Sequence, residues 1–229
     1  MDAKTGEIVS AEALIRWEKP GFGLISPGFF VPVFEESGDI SKLDALMVNN
    51  VLRFNLERME EKRRTVPCAV NLSRVDFYDI GFINSIKAKL KGIRRSGEIL
   101  KLEVTESAYV ALESTAMDFL DEMKRLNIAL LLDDFGSGMS SLSTIESYDF
   151  DIIKLDMGFV RKIGKSKKSE AIIKSVIVMA HGLGAKTVAE GVETEEQLNF
   201  LKEAGCDMIQ GYYFYKPMPE EAFNNLLNV

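Results

Sequence analysis

Histidine is nearly absent from this chain. His181 is the only one in 229 residues, and that scarcity closes off much catalytic chemistry. It falls beside Gly182 at the end of a predicted helix, where it reads as a helix-end residue and not as a ligand. A histidine-rich zinc site and imidazole general-base catalysis are thereby excluded. A Ser-His-Asp triad would need His181 inside a site, which its position opposes. Cysteine is almost as scarce. Cys68 and Cys206 are far apart and form no CxxC or other metal-ligand spacing, so they read as buried, reduced thiols of a cytoplasmic protein. No apolar run reaches the length of a membrane span, and the polar N-terminus is not a signal peptide. Positive charge is also short: 28 Lys and Arg stand against 35 Asp and Glu, with net charge −7 and pI about 5.0. A diffuse acidic surface excludes wrapping of duplex nucleic acid, which needs a basic footprint. A small anionic ligand remains compatible, because a bound cation inverts the local field.

What is present is a regular alternation. Hydrophobic residues make up 46% and charged residues 28%, enough for a sizeable core with a soluble surface. The length fits one α/β-barrel-sized domain. Apolar or β-branched runs predict strands at Ile8–Ile15, Val66–Leu72, Ile99–Val104, Ile128–Asp133, Asp151–Asp156, Ala185–Ala189 and Asp207–Gln210. Between them, helical spacing predicts helices over Ser41–Glu61, Phe82–Gly92, Leu112–Leu126, Ser169–His181, Thr194–Ala204 and Glu220–Leu227, with a short one after Ser140. Thr194 is a good N-cap and Gly205 a stop. Trp17 and Phe22 read as packing residues, and Lys165–Lys168 as a solvated loop. Strands that are almost wholly apolar and alternate with helices imply a parallel sheet covered by helices. Seven strands are one short of a closed eight-stranded barrel, and the eighth would have to precede Met1.

Polar residues recur at the carboxyl ends of these strands: Glu12, Asn71, Glu103, the pair Asp133 and Asp134, Lys154, Glu190 and Gln210. In an α/β barrel such ends converge on one mouth. A carboxylate ending an apolar strand is costly unless it is paired or holds a metal. The three Glu, the two Asp and Asn71 among them are hard oxygen donors suited to Mg²⁺ or Mn²⁺, and their number would allow one ion or two. Two neighbouring cations clamp the attacking and leaving oxygens of phosphoryl transfer. Asp133 and Asp134 run straight into Phe-Gly-Ser-Gly-Met-Ser-Ser141, a glycine-bearing loop of the kind that folds over a site or approaches a phosphate.

At these residues the sequence resembles the EAL-domain family, bacterial phosphodiesterases of cyclic di-GMP. Glu12-Ala-Leu14 is the signature, extended by Arg16-Trp17. Asn71-Leu-Ser73, Glu103-Val-Thr-Glu106, Asp133-Asp-Phe-Gly136, Lys154-Leu-Asp156, Glu190-Gly-Val-Glu193, Gln210-Gly-Tyr212 and Lys216-Pro-Met-Pro219 follow in family order. The resemblance covers essentially the whole chain. It implies a single EAL-type domain over residues 1–229 with a TIM-like β/α barrel. Relative to the family, the N-terminal helix and first antiparallel strand are missing or altered.

The resemblance also implies roles. Glu12, Asn71, Glu103 and Asp133 would be ligands of a first metal, and Asp133 and Asp134 would reach a second. Glu190 would be a further metal contact or the base for the attacking water, with Lys154 the lysine that contacts or activates that water. Which of the two is the base stays open. Glu106 would anchor the site loop. Leu14, Arg16, Asp134 and Gln210 would touch substrate, and a guanidinium suits phosphate. The implied reaction is Mg²⁺- or Mn²⁺-dependent hydrolysis of cyclic di-GMP to linear pGpG. The implied partners are a second copy of the chain and an upstream sensor or GGDEF-type domain in a longer parent. The alternative is a non-catalytic cyclic di-GMP receptor on the same fold. The site loop departs from the family in carrying Met139 where an aromatic residue is usual.

Overall fold

The computed structural model describes residues 1–110, 114–136, 146 and 148–228. The predicted helix after Ser140 and the loop residue Met139 lie outside the described residues. The chain divides into two compact units, one made of Ala11–Val104 and Ala111–Ile128, the other of Met1–Ser10, Thr105–Val110 and Ala129–Val229.

In the first unit, β1 (Ala11–Ala13), β4 (Cys68–Leu72) and β5 (Leu100–Thr105) pair in parallel. Strand β5 is buried over Leu100–Val104, and β4 at every position but Asn71, which is why neither shows polar alternation. Helix α2 (Ile40–Glu60) packs on β4 with Val48, Val51, Leu52 and Asn55 buried, the three-four spacing of one helical face. Asn55 Nδ2 donates to Ile99 O at 2.9 Å and Arg58 Nε to Arg64 O at 2.7 Å. A 3₁₀ turn (Arg74–Tyr78) follows β4, closed by a capping box between Ser73 and Asp76. Helix α3 (Ile80–Leu90) starts on Asp79, whose carboxylate accepts from Phe82 N. A second 3₁₀ turn (Ser96–Glu98) leads into β5, and α5 (Ser114–Arg125) brings Phe119 edge-on to Phe77.

Two features of this unit escaped the sequence reading. A hairpin, β2 (Trp17–Lys19) and β3 (Gly23–Ile25), precedes α1 (Pro27–Ser37). Pro32 inside α1 and the run Phe29-Phe30-Val31 disguise the helix, since proline and β-branched residues disfavour helix interiors. Proline at its first position is what favours its start. Trp17 does pack, edge-on to Phe30 at 5.6 Å. Phe22 does not: at 76% exposure on the hairpin turn it lies against solvent and Lys19. Strand β1 is also shorter than the apolar run Ile8–Ile15.

In the second unit, β6 (Ala129–Phe135), β7 (Ile152–Leu155), β8 (Lys186–Ala189) and β9 (Met208–Ile209) are parallel neighbours in that order. Around them run α4 (Glu106–Val110), α6 (Met157–Val160), α7 (Lys167–Gly182), α8 (Glu195–Glu203) and α9 (Glu220–Leu226). Leu155, Val160, Ile173, Ile177, Leu198, Leu201 and Ile209 form a continuous core, each aliphatic side chain contributing about 1.5–3 kcal/mol relative to exposure. The Thr194 cap is present as a full capping box with Gln197. Lys167 and Lys168 open α7 behind the Ser166 N-cap, so the lysine run is only half a loop. Both cysteines are buried, and neither forms a disulfide.

His181 ends α7 as expected, with Nε2 2.8 Å from Asp207 Oδ2. The N-terminal residues lie antiparallel to β9. Asp2 bridges Met208, Met1 and Ile209 exchange backbone hydrogen bonds at 2.9 Å, and Ala3 N donates to Asp207 O. Thus Met1–Ala3 cover the edge of β9. Among the described residues no helix is long and apolar enough to cross a membrane.

Candidate metal centre

Adjacent residues of a strand point to opposite faces, so Asp133 and Asp134 should diverge. They do not, because the strand breaks its own rule there. The β6–β7 register shifts between Leu132 and Phe135, and Asp134 takes a left-handed backbone with φ of 56°. A bulge of this kind re-aims side chains. Asp134 N donates to Asp133 Oδ1 at 2.9 Å, which locks the turn. The result is that Asp133, Asp134 and Glu190 each bring a carboxylate oxygen within 4.8 Å of the others'.

Glu190 arrives from the end of β8. Its N–H donates to Leu155 O at 3.1 Å, and Gln210 N donates to Ala189 O at 2.9 Å, so the backbone is held from both flanking strands. The next residue, Gly191, has φ of 68°. A Cβ there would stand 2.6 Å from Met157 Cβ, and one on Gly211 would stand 2.2 Å from Val192 O. Only glycine permits these close turns. The sequence shows both glycines inside its motifs, although not the crowding that requires them.

Lys154, 1% exposed in the middle of β7, lies between two of the acids. Its Nζ is 3.0 Å from Asp133 Oδ1 and 2.8 Å from Glu190 Oε1. Without a cation of some kind, three carboxylates this close would repel one another strongly. Lys154 supplies one positive charge against three negative ones, and a divalent ion is the natural complement. The donor set is all oxygen, which fits Mg²⁺ or Mn²⁺ and not a thiolate- or imidazole-preferring metal. In the same unit Glu106 is buried at the start of α4 and Gln210 is half-buried after β9.

The first unit holds the other expected ligands. Asn71 Nδ2 donates to Glu12 Oε1 at 3.1 Å. Asn71 and Glu103 are register partners on β4 and β5, and Glu103 is 2% exposed. These three donors therefore stand on neighbouring parallel strands. Leu14 and Arg16 are exposed just beyond β1, and Arg16 Nη1 donates to Ile15 O at 2.8 Å. Sequence reasoning passed over Asp44 and Asp76, whose carboxylates meet at the end of β4. Each sits in an amphipathic stretch where an acid looks like ordinary surface charge, so nothing in the pattern marks them.

The EAL domain model matches residues 1–217. This chain belongs to the EAL domain family. Among curated EAL relatives, it is 35% identical over 218 residues to the cyclic di-GMP phosphodiesterase PdeR of Escherichia coli K12. It is 33% identical over 219 residues to the bifunctional diguanylate cyclase/cyclic di-GMP phosphodiesterase MucR of Pseudomonas aeruginosa. Those alignments cover 95% and 96% of this chain but only 33% and 32% of the relatives, so the chain spans about a third of their length. Among solved EAL structures, the PaMucR phosphodiesterase in complex with c-di-GMP superposes with a TM-score of 0.86 at 32% identity, covering 95% of this chain and 88% of that one. The EAL enzyme Bd1971, in its cAMP- and cyclic-di-GMP-bound form, gives 0.89 at 29% identity, covering 99% and 62%. The α/β class read from the sequence holds, and the fold is the TIM-like barrel class of EAL domains.

Proposed function

We propose that this EAL domain hydrolyses cyclic di-GMP to linear pGpG with the help of Mg²⁺ or Mn²⁺. The observation that carries the reading is the convergence of Asp133, Asp134 and Glu190 on one another with Lys154 Nζ between two of them. The proposed metal ligands are Glu12, Asn71, Glu103, Asp133, Asp134 and Glu190. The metal would supply Lewis-acid stabilisation of the phosphoryl oxygens and a more acidic water.

Water adds its oxygen to phosphorus, the bond from phosphorus to the ribose 3′ oxygen breaks, that oxygen takes up a proton from solvent, and the phosphate stays on the 5′ oxygen. A carboxylate accepts protons while an ammonium only donates. In an ion-paired arrangement, Glu190 is therefore the group to take the water proton. Lys154 orients Glu190 and offsets the charge building on the phosphate. Arg16, Leu14, Asp134 and Gln210 are proposed to contact the dinucleotide, and Glu106 to anchor the loop after Gly136. A second copy of the chain, and a sensor or GGDEF-type domain in a longer parent, complete the proposed partners.

Incubation with cyclic di-GMP and Mg²⁺, followed chromatographically, should yield pGpG and should stop on addition of EDTA. Binding without turnover would favour the receptor alternative.

A further inference from the structure

Asp44 on α2 and Asp76 in the 3₁₀ turn after β4 converge on a single donor. Ser73 N–H donates to Asp76 Oδ2 at 2.8 Å and, more weakly, to Asp44 Oδ2 at 3.4 Å. Both carboxyl groups therefore reach the same N–H, and there they would relieve their repulsion by hydrogen-bonding to each other. Two carboxylates cannot do so, since both are acceptors, whereas an acid and a carboxylate can. Asp76 is fully buried, and its Oδ1 has no hydrogen-bond partner among the described residues. A buried oxygen in that position calls for a proton. Burial, then the charge of Asp76, pushes the Asp44 acid up to about 9, and burial raises Asp76 as well. The charged side chains acting on the pair are Glu35 from α1 and Asp79 at the end of the turn. Both are acidic, so both favour retention of the proton. Glu35 Oε1 further accepts from the Ser73 hydroxyl at 3.3 Å.

Ser73 directly follows β4, and two residues before it Asn71 reaches Glu12. We infer that Asp44 and Asp76 share one proton and act as a positioning pair, pinning Ser73 and with it the end of β4 that presents Asn71. The inference rests on the proposed role of Asn71 as a metal ligand. With the proton in place the turn is closed by an acid–carboxylate bond. Without it, two like charges face each other across one N–H, and the turn loosens.

Two measurements on the full chain test this. Infrared difference spectra of wild type against Asp44→Asn at neutral pH should show a protonated-carboxyl C=O stretch in wild type that the variant lacks. No such band would overturn proton sharing. Titration calorimetry with Mg²⁺ alone should then separate the roles. Asp44→Asn keeps a donor toward Asp76, so it should bind Mg²⁺ as wild type does near neutrality and keep that affinity as pH rises toward about 9.5, where wild type weakens. Asp44→Leu offers no donor and should weaken binding on the order of tenfold. Wild-type affinity in folded Asp44→Leu, or alkaline weakening equal in wild type and Asp44→Asn, would overturn the positioning role. Asn71→Ala with unchanged Mg²⁺ affinity would instead overturn the Asn71 assignment, and it would leave the infrared result standing.

Discussion

Lys154 Nζ lies 2.8 Å from Glu190 Oε1 and 3.0 Å from Asp133 Oδ1, with 1% of the lysine exposed. A buried ammonium gripped by two carboxylates is a fixed charge whose removal leaves those carboxylates uncompensated. Lys154→Met should therefore lower kcat by about 10²–10³-fold. It should also lower the melting temperature of the metal-free protein, and added Mg²⁺ should restore much of that loss. Steady-state kinetics and thermal melts with and without Mg²⁺ check both halves. A variant equally stable with and without the ion would show that Lys154 does not balance the acids.

Asp134 reaches the cluster only through its left-handed backbone and the bulge at the end of β6. Asp134→Asn keeps the size and removes the charge, so it should reduce Mg²⁺ affinity by at least about tenfold. Calorimetric titration of the metal decides the matter, since an unchanged isotherm would remove Asp134 from the ligand set.

The glycine after Glu190 is there for space as well as for its backbone angle. With φ of 68° and a would-be Cβ 2.6 Å from Met157 Cβ, Gly191→Ala forces the backbone to shift, because Met157 Cβ is not the far end of a flexible side chain. A loss of about 1–3 kcal/mol in chemical denaturation is expected. Activity should fall more steeply than stability, because the displaced residue adjoins Glu190.

The motifs made Asp133, Asp134, Lys154 and Glu190 legible as a group, because a charged residue ending an apolar strand is costly unless it is paired or binds a ligand. The bulge was not legible, since nothing in Leu-Asp-Asp-Phe says that the alternation fails there. Apolar runs gave the seven parallel strands to within a few residues at most ends. The edge strand β1 is the exception: three paired residues against β4 are shorter than its apolar run. Helix α1 was hidden by Pro32 and its aromatic and β-branched start. Phe22 was misread because a hydrophobic side chain on a two-stranded hairpin has no layer to pack against. Asp44 and Asp76 were invisible for a different reason: they meet at the Ser73 N–H from positions more than thirty residues apart in sequence.

The link between α7 and β9 should make stability fall in acid. Burial alone would push the Asp207 carboxyl up. Hydrogen bonds from His181 and from the Thr187 N–H and hydroxyl outweigh burial and hold it below the usual range. A depressed carboxyl stabilises the fold above its unfolded-state value, and that contribution disappears as pH falls through the folded-state value. Wild type should therefore lose more of its melting temperature than Asp207→Asn between about pH 5 and about pH 3. Parallel curves for the two proteins would remove Asp207 from the acid response.

The most direct test of the account compares wild type with Glu190→Gln on cyclic di-GMP and Mg²⁺, with pGpG followed by chromatography and substrate binding by calorimetry in the same buffer. The account predicts EDTA-sensitive pGpG formation by wild type. It predicts a loss of about 10²–10⁴-fold in the variant, with substrate binding retained. Full turnover by Glu190→Gln would contradict the role of Glu190, and substrate bound but never cleaved by wild type would contradict the hydrolase reading itself.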